Sequence, residues 1–160
     1  LIPFLYHDSD QLARDLGDLE DYSFTRLAAN VAEFISKYIK ALPRWQEIRS
    51  KQPDKYGEHE ELQRFFGTHS TIQESFLLKV IEKTEGHEVA EKFITELPDK
   101  NGFDFSDGLS IAIGTVSDEV KVKISFHGKV WDIAPDLIED IIQDRVQLDQ
   151  DIAKQLEKRK

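Results

Sequence analysis

A chain of 160 residues with 31 acids against 21 bases carries ten surplus negative charges, which works against non-specific binding to nucleic acid or to an anionic membrane. Its length fits one domain with its own core, and 39% hydrophobic residues with 10% aromatic make it globular rather than disordered. The absence of cysteine excludes disulfides, thiolate metal sites and cysteine nucleophiles, and it suits a reducing cytoplasm, the expected location.

The opening Leu1-Ile2-Pro3-Phe4-Leu5-Tyr6 is apolar but short. It lacks a basic lead and runs into Asp8 and Asp10, so it does not read as a signal peptide. Asp8-Ser9-Asp10 offers caps to a short helix over residues 11–16 that Gly17 ends. Ser23 is placed to cap the next helix, where Phe24, Leu27, Ala28, Val31, Phe34, Ile35, Tyr38, Ile39 and Leu42 recur every three or four residues. Pro43 is expected to stop it, with another turn or two over 44–50 and a loop over 51–57. Residues 58–66 read as a short helix closed by Gly67. Ser70 or Thr71 opens one with Ile72, Phe76, Leu77, Val80 and Ile81 on its apolar face, broken at Gly86. Val89, Ala90, Phe93, Ile94 and Leu97 mark one more, ended by Pro98.

The period changes after Gly102. Leu109, Ile111 and Ile113 alternate with smaller residues, and Val120, Val122, Ile124 and Phe126 with Lys121, Lys123 and Ser125. Period two with one polar face predicts half-buried antiparallel strands. Gly114 to Glu119 is expected to form the first turn, His127-Gly128 the second, and residues 129–133 the third strand. Pro135 opens a final helix to about Lys158. The fold class is therefore α+β in a single domain. It joins a bundle-like region of about five helices over residues 1–97, a three-stranded antiparallel meander over 103–133 and a long helix over 135–158.

Charge is uneven along the chain. Residues 1–22 hold six acids and one base, and residues 58–97 hold nine against four. Between them, residues 23–57 hold three acids and seven bases, Arg26, Lys37, Lys40, Arg44, Arg49, Lys51 and Lys55. Pairing of these cations with flanking acids is the expectation, and a phosphate- or RNA-binding strip stacking on Trp45 and Tyr56 is the alternative. In the last helix, Leu137, Ile138, Ile141, Ile142, Leu148, Ile152 and Leu156 define the apolar face. Asp136, Asp140, Asp144 and Asp151 form one stripe, expected on the far side.

No catalytic motif is present. His87 and Glu91 share a helix face, but the zinc pattern needs a second histidine where Glu91 stands, so the expectation is a surface pair. His59 and His69 are separated by the Gly67 break. Asp99, Asn101, Asp104 and Asp107 have the wrong spacing for a calcium loop and read as a turn. Neither a nucleophile elbow nor a phosphate loop occurs, and nothing implies a cofactor or metal.

What remains is a surface. The stripe Asp136, Asp140, Asp144 and Asp151, the cluster Glu58, Glu60 and Glu61, and the group Asp15, Asp18, Glu20 and Asp21 are the candidate docking faces for a basic protein. In size, acidity and lack of catalytic motif the chain resembles bacterial immunity proteins that neutralise nuclease toxins. That likeness carries no shared motif and so transfers no residues. It implies a non-catalytic inhibitor whose carboxylates occupy a cationic cleft. The alternatives are an acidic dimeric chaperone or scaffold for a secreted client, and an enzyme whose site has no recognisable motif.

Overall fold

A computed structural model describes residues 1–20, 22–58, 63–69, 71–97, 102–104 and 107–159. Helices α1 (Ile2–His7) and α2 (Ser9–Leu16) lead into the long α3 (Phe24–Lys51), the short α4 (Pro53–Tyr56), α5 (Ile72–Glu85) and α6 (His87–Glu96). Strands β1 (Ser110–Val116), β2 (Glu119–Phe126) and β3 (Lys129–Ile133) follow, and α7 (Pro135–Lys158) closes the chain. The expected α+β architecture and the three-stranded antiparallel sheet are both present, in the order β1-β2-β3.

The core is built round α5. Phe76, Leu77, Leu78, Val80 and Ile81 are all essentially inaccessible to solvent. Such a run buries more than one face, which suits a helix with neighbours on several sides, here α1, α3, α6 and α7. Each such side chain contributes about 1.5–3 kcal/mol of hydrophobic stabilisation. Alongside, α3 presents Ala28, Ala29 and Ala32, whose small size lets α7 and α5 approach its backbone closely. From the sheet, Val122, Ile124, Phe126, Trp131 and Ile133 cover the same core. A second, smaller cluster joins Ala13 of α2 to Leu148 and Ile152 of α7, with Leu156 packed against it.

The strand pattern has the predicted alternation, with Lys121 and Lys123 outward and Val122 and Ile124 buried. The His127-Gly128 turn and the limits of β3 fall where the sequence puts them. The first turn is shorter than expected. Only Ser117 and Asp118 remain outside the ladder, both at positive φ (51° and 66°), so β1 runs on to Val116. Two left-handed residues match the twist of the flanking strands.

Several helix expectations fail for physical reasons. Pro43 does not end α3, which continues to Lys51. The carbonyl one turn earlier, that of Ile39, loses its N–H partner, a loss made tolerable by the solvent-facing position of Lys40, Ala41 and Pro43. Beyond the proline the helix is held by Trp45 packing edge-to-face on Tyr56 at 5.7 Å and by Gln46 donating to Thr115 at 3.0 Å. Within the supposed loop 51–57, Pro53 starts the single turn α4. Residues 63–66 are not helical, and the rest of the expected 58–66 helix falls largely outside the described residues. The opening apolar segment, to which the sequence pattern assigns no element, forms α1, with Ile2 and Leu5 buried.

The capping residues act at longer range than predicted. Ser9 Oγ donates to the Leu5 carbonyl and accepts from Phe24 N at 2.9 Å. Asp10 accepts from Thr25 N at 3.1 Å and Thr25 Oγ1 at 2.6 Å. The start of α2 thus caps α3, while Ser23 Oγ is buried without a hydrogen-bond partner among the described residues.

Gly17 ends α2 as expected, at φ +71°. An added Cβ would lie 2.5 Å from Leu156 Cδ2, so both the left-handed backbone and the contact with α7 demand glycine. Gly17→Ala is expected to lower stability by about 1–3 kcal/mol, read as a lower urea midpoint at unchanged m-value.

Candidate acidic surface

The last helix is fastened to the body by charge. Arg26, 7% exposed, donates through Nη2 at 2.9 Å and Nε at 3.1 Å to Asp149, and through Nη2 at 2.7 Å to the Asp18 carbonyl. Lys83 and Lys79 of α5 lie 3.0 and 3.5 Å from Asp144. Arg145 pairs with Glu33 of α3. Glu139 accepts from Ser36 Oγ at 2.6 Å and lies 3.4 Å from Lys40, and the Ser36 hydrogen bond, aided by Lys40, lowers its pKa.

This fastening splits the predicted stripe. Asp144 does not lie on the far side of α7. It is half-buried on the flank against α5, because two lysines draw it there. Asp151 is also half-buried and accepts from Gln147 Nε2 at 2.8 Å. Only Asp136 and Asp140 are exposed, and neither has a cationic partner among the described residues. Asp136 gains from its place in the first turn, at the positive end of the helix.

The N-terminal acids form a corner where α2 turns into α3. Asp15 is exposed and accepts from Gln11 Nε2 at 2.9 Å. Asp18 Oδ1 accepts from Glu20 N at 2.8 Å, which shapes the turn, and Glu20 is exposed. Arg159 donates to the Asp15 carbonyl at 3.0 Å, so the corner rests against the end of α7. Glu58 is exposed, while Asp21, Glu60 and Glu61 lie outside the described residues. Sequence reasoning missed the apolar part of this corner. Leu12, Leu16 and Leu19 are 45%, 65% and 46% exposed. The available signal was that Leu12 and Leu16 stand one turn apart on a helix whose small Ala13 faces the core.

The other sequence features, where described, make contacts within the fold. His87 and Glu91 meet at 3.3 Å on one face of α6, and His7 reaches the same carboxylate at 3.3 Å. Tyr6 stacks on His87, lies 2.8 Å from its Nδ1 and donates to Glu82 at 3.2 Å. The group docks α1 on α5 and α6. Among the described residues no set of three or more His, Asp and Glu is placed to hold a metal ion. His59, Asp99 and Asn101 lie outside the described residues, while Asp107 accepts from Asp104 N at 3.1 Å and bonds His127 at 2.7 Å. That His127 bond holds the Asp107 carboxyl below the usual range. Arg44 and Lys51 both pair with Glu47, and Lys55 sits 5.0 Å over Tyr56, whose ring meets Trp45.

A groove of about 200 Å³ opens beside β3, with Ile81, Val89, Phe93 and Trp131 as its apolar lining and Lys129 at its rim. Trp131 Nε1 donates to Glu85 at 2.5 Å within it. No described strand lies on the outer side of β3.

No family model, no curated protein and no solved structure matches this chain. No described helix is long and apolar enough to cross a membrane.

Two measurements test these assignments. Asp144→Asn is expected to lower stability by about 1 kcal/mol, whereas Asp140→Asn should shift it by less than about 0.5 kcal/mol; equal effects in urea unfolding would mean that the lysine contacts do not hold α7. The second concerns Tyr6, whose pKa burial pushes well above its ordinary value, helped by the charge of Glu82. A raised folded value means stability present below about pH 10, the ordinary tyrosine range, and lost as pH rises further. The wild type should therefore lose more stability between about pH 9 and 11 than Tyr6→Phe, measured as the difference in urea midpoints.

Proposed function

We propose that this chain is a small acidic, non-catalytic binding protein of the bacterial cytoplasm that neutralises a basic protein, in the manner of an immunity protein inhibiting a nuclease toxin. The observation that carries the reading is the disposition of charge. Cations on α3 and α5, with Arg145 of α7, pair between elements of the same chain with Glu33, Glu139, Asp144 and Asp149. Asp136, Asp140, Glu20 and Glu58 face solvent without a cationic partner among the described residues. A net charge of −10 with its carboxylates outward steers a cationic partner in and fixes its register. Carboxylates seated in a cleft built for nucleic acid would take the place of phosphates and block it sterically. The mechanism needs no cofactor.

A second reading, an acidic dimeric chaperone or scaffold for a secreted client, is favoured by the groove beside β3 and by the outer edge of that strand, on which no described strand pairs. Lys129 closes the hairpin opposite Phe126, so Val130 and Asp132 direct their backbone N–H and C=O groups away from β2.

Capture from native lysate at low salt is expected to return one stoichiometric basic protein that high salt releases. Charge reversal at Asp136 and Asp140 should slow its association and flatten the salt dependence, and an unchanged salt slope would remove α7 from the interface. Many unfolded clients, or light scattering at twice the 18.5 kDa chain mass, would favour the second reading.

A further inference from the structure

We infer that the partner's docking element is a cationic amphipathic helix, and that it lies across the corner formed by α2 and the turn leading to α3. This rests on the acidic-binding reading and adds the place and the chemistry of contact.

The corner combines the two ingredients of a protein-binding site. Leu12 and Leu16 form a ridge one turn apart on α2, Leu19 follows beyond the Gly17 turn, and all three are substantially exposed. The buried side of α2, Ser9 and Ala13, faces the body, where Ala13 meets Leu148 and Ile152, so the ridge stands outside the core. Carboxylates rim it. Asp8 and Asp15 lie on the same flank of α2, about 40–60° round the helix from Leu12, and Glu20 follows in the turn. Of the cations nearby, Arg14 is on the opposite side of α2 from Leu12, about 160° away, and Arg159 reaches the corner but is engaged by the Asp15 carbonyl.

An apolar ridge with anionic rims fits a segment whose apolar stripe is flanked by Lys and Arg. A helix is the form that fits. The spacing of Leu12 and Leu16, about 6 Å, is that of apolar positions one turn apart on a partner helix. The backbone of α2 is hydrogen-bonded within its own helix and offers no ladder to an extended strand. A second copy of this chain is disfavoured, because a symmetric contact would bring one acidic rim against the other. The corner is also held in shape before binding, by Asp18 Oδ1 on Glu20 N and by Arg26 on the Asp18 carbonyl. Little ordering is then left to oppose association.

The test uses the full chain and two synthetic peptides of equal positive charge. One is an amphipathic Leu/Lys helix, and the other has every leucine replaced by serine. Amide chemical-shift titrations at low salt should place the Leu/Lys contacts at residues 8–20, with affinity about tenfold above the serine peptide. Leu12→Ser with Leu16→Ser, both at exposed positions, should bring that ratio below about twofold, while Glu20→Lys weakens both peptides alike. Equal affinity for the two peptides, or shifts centred on Asp136 and Asp140, overturns the corner and leaves the acidic-binding reading standing. No binding of either peptide at low salt removes both. Concentration-dependent shifts at residues 8–20 without peptide would replace the helix partner by a second copy.

Discussion

The guanidinium of Arg26 is the joint at which the parts of this molecule meet. It leaves α3 nearly buried, and its hydrogen bonds reach both Asp149 on α7 and the carbonyl of Asp18 in the turn after α2. A buried cation is tolerated only when its donors find acceptors, so the turn and the last helix must both be in place for α3 to pack. The N-terminal corner and the acidic helix are therefore one mechanical unit, although well over a hundred residues separate them. The small cluster of Ala13, Leu148 and Ile152 repeats the connection in apolar terms.

The same arrangement decides which carboxylates are available. A wheel drawn on α7 treats the four aspartates of the stripe as equivalent, but packing does not. Lys79 and Lys83, projecting from α5, take Asp144 out of the stripe, while Asp136 and Asp140 stay in water. Internal neutralisation of this kind concentrates the remaining negative potential on particular faces instead of spreading it over the whole surface.

Local rules were legible where the elements obey them locally. Pro135 opening α7, the His127-Gly128 turn and the alternation of β2 follow from backbone preference and periodicity alone. What escaped depends on neighbours. Pro43 reads as a stop until Thr115 and Tyr56 are seen to hold the turn beyond it. The six residues at the start carry no helix signal of their own until Tyr6 and His7 are seen to dock on α5 and α6. Ser9 and Asp10 read as local caps, yet their partners lie at the start of α3. The exposure of Leu12 and Leu16 was hidden for the same reason. A helical apolar pair gives no sign of whether another element covers it.

The open side of β3 has a consequence for the protein at high concentration. A free edge is a template for strand-on-strand growth, and long, flat, apolar edges lead to fibres. This one is five residues long and carries Lys129 and Asp132 in exposed positions. An incoming copy would meet those charges before it could complete a ladder. Strand addition at this edge would have to accommodate Lys129, which lies 3.6 Å from Glu96, and Asp132, which lies 3.8 Å from Lys123.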